Sequence, residues 1–388
     1  MNVTVSCPTK FHAFHLAEQL DKRGCLHKFI TIFYNKKRGW LPELRRDEEN
    51  IDPNKVITNI LPAFFRGLNL VPGIKNLTNW DYYLVQAFDC WARSQVDKCD
   101  IFVGWSGMSL HTLRKAKSYG VMTIVERGSS HILFQKEILE EEHEKYDIKI
   151  KPIDDRVVEK ELLEYREADF ISVPSRFVKQ TFIKKGIDLK KIIQVPYGVN
   201  LSNFKQIPKE DKVFRIVFVG GLTLRKGVHY LLEVFSKLNL KNAELTLIGA
   251  LSPEIKPFLK KYDGSYNYLG VIPHAQLHKY MSQGSAFILP SIEEGLAIVI
   301  PQAMACGLPV ICTTNTGGED IIQEGKEGFI IPIRDVNALK EKILYLYENE
   351  EKRLVMSNNA LKRSREFTWD VYGEKIVQCY KEILKENS

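Results

Sequence analysis

Short apolar runs rich in β-branched and aromatic residues alternate along the whole chain with stretches whose apolar positions recur every three to four residues. This alternation predicts a parallel α/β architecture, in which strands buried on both faces read as continuous hydrophobic runs. In the first half the predicted strands are residues 3–6, 29–33, 101–103, 122–125, 170–173 and 192–195. In the second half they are 214–219, 244–248, 266–269, 286–289, 309–312 and 328–331. Helical periodicity falls between them, as at 14–22, 109–118, 228–238 and 338–348. Residues 196–208 (PYGVNLSNFKQIP) carry turn residues without periodicity and predict a linker between two doubly wound domains. Ligands of open α/β sheets bind at the C-terminal ends of the strands, so the crevice between two such domains is the expected site. The charge-rich stretch 136–169 reads as helix with a solvated face.

At 388 residues, 44% hydrophobic and 27% charged, the chain fits two globular domains with real cores. No run approaches the roughly 18 apolar residues of a membrane span, and the strand-like start does not read as a secretory signal. Seven cysteines, at 7, 25, 90, 99, 306, 312 and 379, form no C-x-x-C pair, which argues against a disulfide framework or zinc cluster. A cytoplasmic setting is expected, and no metal or cofactor. The net charge of +7 lies mostly in the first 200 residues. It lacks the dense basic stripe of a nucleic-acid binder, yet suits weak peripheral attraction to the inner face of an anionic membrane.

Two segments carry chemistry. Residues 214–227 (FRIVFVGGLTLRKG) run a strand into Gly220–Gly221, then Arg225, Lys226 and a helix. Glycines admit a bulky anion, a helix start offers free amides, and the two cations add charge, so a diphosphate is the natural guest. The G-x-x-x-x-G-K-[ST] spacing of a Walker A loop is absent. Residues 286–311 (AFILPSIEEGLAIVIPQAMACGLPVI) end a buried strand at Pro290–Ser291, then place Glu293, Glu294 and a helix carrying Gln302. Glu294, beside a helix start, suits sugar hydroxyls, and the amides of Leu296, Ala297 and Ile298 are expected to face the crevice.

Together these segments resemble the retaining glycosyltransferases of family 4, which have the GT-B fold. Their pattern P-S-x-x-E-G-F-G-x-x-x-x-E-A-M-A-x-G-x-P-V is met by Pro290-Ser291-Ile292-Glu293-Glu294-Gly295-Leu296-Ala297 and then Gln302-Ala303-Met304-Ala305-Cys306-Gly307-Leu308-Pro309-Val310. Their G-R-L-x-x-x-K-G is met in part by Gly220 to Gly227, with Gly221 in place of the arginine and Arg225 offered as a substitute. Pro196-Tyr197-Gly198-Val199-Asn200 and Thr368-Trp369-Asp370 extend the likeness to the linker and the last helix, which in that fold crosses back onto the first domain. The implied division is residues 1–199 plus 370–388 for the acceptor and 200–369 for the donor.

By this resemblance Lys226 and Arg225 hold the donor diphosphate and Glu294 the transferred sugar. Gly220, Gly221, Leu296, Ala297, Ile298, Gln302 and His274 complete donor binding. Gln302 replaces the family's second acid, and Ala297 its second glycine. In the first domain the family's Gly-Gly loop is Cys7-Pro8-Thr9-Lys10-Phe11-His12, and His131 stands nearest to the family's sugar-facing histidine. Glu126, Arg127 and Trp105, at strand ends, are placed on the acceptor side. The implied donor is a UDP- or GDP-linked sugar, UDP first, and the acceptor a glycan or a lipid-linked glycan. Residues 60–77 are a candidate seat for a lipid-linked acceptor. No D-x-D triplet occurs, in keeping with cations rather than a metal at the phosphates. A nucleotide-sugar epimerase or hydrolase, and a non-catalytic nucleotide-sugar binding subunit, are the competing readings.

Overall fold

The structure is a computed structural model and describes residues 1–34, 50–68, 78–149 and 152–386. Its strands are β1 (Val3–Ser6), β2 (Leu26–Thr31), β3 (Val56–Thr58), β4 (Ile101–Trp105), β5 (Met122–Glu126), β6 (Phe170–Val173) and β7 (Ile192–Gln194), then β8 (Phe214–Val219), β9 (Ala243–Ile248), β10 (Asn267–Tyr268), β11 (Ala286–Leu289), β12 (Val310–Thr313) and β13 (Gly328–Ile331). The first seven form one sheet in the order β3-β2-β1-β4-β5-β6-β7, and the last six another in the order β10-β9-β8-β11-β12-β13. All described pairings within the sheets are parallel. Each order reverses once, between β1 and β4 and between β8 and β11, the point at which a doubly wound sheet opens its ligand crevice.

The helices are α1 (Ala13–Lys22), α2 (Phe64–Leu68), α3 (Trp80–Ala92), α4 (Leu110–Ser118), α5 (Ile132–Glu144), α6 (Asp155–Glu167) and α7 (Arg176–Lys184) around the first sheet. Those that follow β8 are α8 (Val228–Leu238), α9 (Lys256–Lys261), α10 (Leu277–Met281), α11 (Val299–Ala305), α12 (Val336–Glu348), α13 (Glu350–Ser364) and α14 (Trp369–Glu386). The central strands β1, β4, β8 and β11 are Val-, Ile- and Phe-rich and almost wholly buried, as sheets covered on both faces require. Helix α14 packs on α1: His15 stacks on Trp369 at 4.0 Å between ring centres, and Arg23 donates to the Asp370 carbonyl at 2.9 Å. The linker runs beside the entry to α14, where Val199 N donates to Phe367 O at 3.1 Å. A side chain at Gly198 would stand 2.4 Å from the Trp369 nitrogen, so only glycine lets the two crossings lie together.

One strand was not foreseen and one expectation is corrected. The edge strand β3 lacks a sequence signal, because two half-buried residues and an exposed one carry no periodicity. The charged stretch 136–169 is a solvated face only in part: Glu137, Glu141, Glu144 and Glu159 are exposed, but on α5 and α6 Glu142, His143, Lys160, Glu161 and Glu164 are buried. Each meets a partner from another element, as Lys160 meets Asp89 of α3 at 2.8 Å. Pairing of this kind is what makes buried charge tolerable, and local sequence does not display it. Of the segment 60–77, residues 60–68 form a short helical turn and α2, with Ile60, Leu61 and Phe64 exposed; residues 69–77 lie outside the described residues.

Candidate functional site at the crevice between the two sheets

The loop after β8 turns sharply at Gly227, whose φ of 67° and position against Pro290 exclude a side chain: a Cβ there would lie 1.9 Å from the Pro290 carbonyl oxygen. This contact brings the β8–α8 loop against the loop after β11. Two consecutive cations then meet two consecutive carboxylates. Lys226 Nζ is ion-paired with Glu294 Oε1, which also accepts from Ser291 Oγ at 3.2 Å. Arg225 Nε lies 2.8 Å from Glu293 Oε2 and donates to the Glu293 carbonyl at 3.1 Å. Glu293 is fully buried, while Arg225 keeps 35% of its side-chain surface. Burial alone would lower the proton affinity of Arg225; the carboxylates of Glu293 and Glu294 outweigh it and hold the guanidinium charged. Burial would raise the Glu293 carboxyl, but Arg225 and its hydrogen bonds bring it below the usual range.

Further along, Gly295 touches the first domain. A Cβ on it would lie 1.6 Å from the Gly128 oxygen, and its own carbonyl accepts from Ser175 Oγ at 2.7 Å. Gly220, at the end of β8, is tied to β9 through Ile248 O at 2.9 Å, and Gly221 follows it into the loop. Leu296 is buried and Ile298 is 43% exposed at the start of α11. The expectation for Ala297 fails on geometry, because its amide already donates to Thr316 O at 3.0 Å and is not left for a phosphate. Gln302 and His274 come together, with Gln302 Nε2 3.2 Å from His274 Nε2 and the His274 ring edge-on to Phe204.

In the first domain Glu126 ends β5, buried, with Oε2 3.2 Å from His12 Nε2 and Oε1 without a hydrogen-bond partner among the described residues. The His12 ring lies 4.8 Å from Trp105 and 4.0 Å from Tyr197. Trp105 Nε1 and Tyr197 Oη are likewise buried with no hydrogen-bond partner among the described residues. Arg127 is not free to meet a ligand: it is buried and donates to Glu161 at 2.8 Å, Gln135 at 2.7 Å and the Ser130 carbonyl at 3.0 Å. Its charge is held against burial by Glu161. Nor does His131 face a ligand. It caps α5, accepting from Leu133 N at 3.2 Å, and its ring is enclosed by Tyr165 and Phe182. Burial, with Arg127 nearby, lowers its pKa to about 4. The histidine at the crevice edge of the first sheet is His12, on the loop that replaces the Gly-Gly turn; its spacing before α1 was the available signal. Among the described residues no group of three His, Cys, Asp or Glu could hold a metal ion, and no helix is long and apolar enough to cross a membrane.

This geometry defines a class, two Rossmann-like domains joined across a crevice with the last helix returned to the first: the GT-B fold. Solved structures agree. Sucrose-phosphate synthase from Thermosynechococcus elongatus superposes with a TM-score of 0.71 over all of both chains at 17% identity. HepE of Anabaena, solved with UDP and glucose, superposes with a TM-score of 0.67 at 16% identity, over 98% of this chain and all of that one. Residues 200–363 match the family described as glycosyl transferases group 1. The capsular polysaccharide biosynthesis glycosyltransferase CapM of Staphylococcus aureus is 32% identical over 202 residues, 48% of this chain and 52% of that protein. An uncharacterized glycosyltransferase of Methanocaldococcus jannaschii is 32% identical over 168 residues, 43% of this chain and 48% of its own. The chain spans about half the length of these curated relatives.

Proposed function

We propose that the protein is a retaining glycosyltransferase that moves a sugar from a nucleotide-diphosphate donor, UDP-linked first, to an acceptor hydroxyl in polysaccharide or other glycoconjugate synthesis. The observation that carries this reading is the Lys226–Glu294 pair at the mouth of the β8/β11 switch point. An ammonium and a carboxylate that satisfy each other there can exchange partners with a ligand that brings both a diphosphate and a hydroxyl-rich ring. The capsular polysaccharide relative and the UDP-bound structure support the same assignment.

In the reaction the bond between the anomeric carbon and the diphosphate breaks, and the leaving group gains negative charge. Arg225, held beforehand, and Lys226, once it exchanges Glu294 for the ligand, stabilise that charge more in the transition state than in the ground state. Glu294 accepts from hydroxyls of the sugar and fixes its face. Gln302 and His274, with Gly220, Gly221 and the amides near Leu296 and Ile298, seat the nucleoside and phosphates. Glu126 and Trp105, with His12, lie on the acceptor side. Residues 200–369 form the donor half, and 1–199 with 370–388 the acceptor half. Calorimetric titration with UDP, GDP and ADP, then a panel of sugars on the best base, tests the reading. One nucleotide is expected to bind in the micromolar range or tighter (about −8 kcal/mol). Binding of none overturns it, and binding with acceptor-free sugar release points instead to a hydrolase.

A further inference from the structure

Glu293 occupies a position that the recognised sequence pattern leaves open, yet its carboxylate accepts three hydrogen bonds and pairs with Arg225. Its Oε1 accepts from Ser130 N at 2.9 Å and Ser130 Oγ at 2.7 Å, and its Oε2 from Gln135 Nε2 at 3.0 Å. These three donors belong to the first domain. The second domain supplies an ion-pair partner: Arg225 Nε lies 2.8 Å from Oε2, while its hydrogen bond goes to the Glu293 main-chain carbonyl at 3.1 Å. Arg225 also reaches across, its Nη2 donating to Ser129 Oγ at 3.3 Å, and among the described residues its Nη1 has no recorded partner.

An ion pair with one partner buried contributes little net stability, because desolvation of the carboxylate offsets the attraction. What it does supply is orientation. A guanidinium that donates from Nε to the Glu293 carbonyl and from Nη2 to Ser129, with the Glu293 carboxylate paired beside it, is restricted in orientation, and its remaining edge is set by those neighbours. Glu294, one residue on, turns to Lys226, so the two carboxylates divide the two cations between them.

Resting on the proposed function, we propose that Glu293 is a positioning residue for the donor diphosphate. It holds Arg225 in a single orientation against the Ser129–Ser130 loop of the first domain, leaving Nη1 as the donor for a phosphate oxygen. The cation is thus correctly aimed only while the two domains are in contact at this loop.

A double-mutant cycle read by UDP titration tests this, since residues that act through one another give non-additive losses. Arg225→Ala and Glu293→Gln are each expected to weaken UDP about tenfold, and the double variant no more than about twofold beyond Arg225→Ala alone. Losses that multiply in the double variant overturn the proposal, as does wild-type UDP affinity in a folded Glu293→Gln. Should Glu293→Gln fail to fold, Arg225→Lys answers the same question, because it keeps the charge and removes the fork. It is expected to weaken UDP as much as Arg225→Ala, and wild-type affinity in Arg225→Lys overturns the role. A wild-type protein that binds none of UDP, GDP and ADP overturns the proposed function itself, and the positioning role falls with it. That result is distinct from the others because it appears before any substitution.

Discussion

At the crevice, neighbouring residues with the same formal charge have different duties. Among the described residues the Lys226 ammonium is paired only with Glu294, so it can be redirected to a ligand, whereas Arg127 is bound by Glu161, Gln135 and Ser130. Arg127 was marked by its place at a strand end and Lys226 by the glycine loop and helix start; their bonds separate them further. For Lys226→Ala the expected loss is about 3–4 kcal/mol of transition-state stabilisation, some hundredfold or more in turnover. Gln302→Glu keeps an acceptor beside His274 and is expected to change turnover far less. Steady-state rates on a donor and acceptor pair check the order; a larger loss in Gln302→Glu would refute these roles. Glu294 and Lys226 were legible because each sits at a fixed spacing in a long pattern. Glu293 was not, since its partners Ser130 and Gln135 lie more than 150 positions away in the chain.

Among elements, α5 shows how a cap misleads a sequence reading. A histidine just after a strand resembles a ligand, but His131 satisfies the exposed amide of Leu133 and packs its ring on Tyr165 and Phe182. Its folded pKa of about 4 lies below the 6.5 of a free histidine, so the unfolded chain takes up the proton first as pH falls. The neutral ring's contribution is therefore complete above pH 6.5 and is lost down to about pH 4. The shift sets an upper bound of about 3 kcal/mol on that loss. His131→Asn retains a capping side chain without the titration. Denaturant midpoints measured from pH 7 to pH 4 are expected to fall less steeply in the variant; parallel slopes would show that other groups carry the dependence. Every described strand except β3 was legible from apolar runs, five with the same bounds and the others within three residues. The buried charges of α5 and α6 were not, because only tertiary partners make them possible.

For the molecule as a whole, the two halves meet through more than a linker. Helix α5 offers Glu142 to His229 at 2.9 Å, to Tyr230 at 2.7 Å and to Arg334 at 2.6 Å, all beyond the linker. Ile138 and Leu139 pack with Tyr230 and Ile292 beside them. Two-domain architecture could be read from the repeated strand–helix alternation, but nothing in one chain's pattern announces which faces of the halves touch.

The paired crossings at Gly198 and Trp369 carry a consequence for how the protein comes apart. Residues 205–212 are irregular and mostly exposed, an inviting stretch for a protease. A single cut there severs one strand of a two-stranded tether, while α14 stays seated on α1 and the α5 contacts persist. The nicked protein is expected to elute as one intact particle in native gel filtration and to resolve into two fragments only in denaturing electrophoresis. Separation without denaturant would mean that the second crossing bears no load.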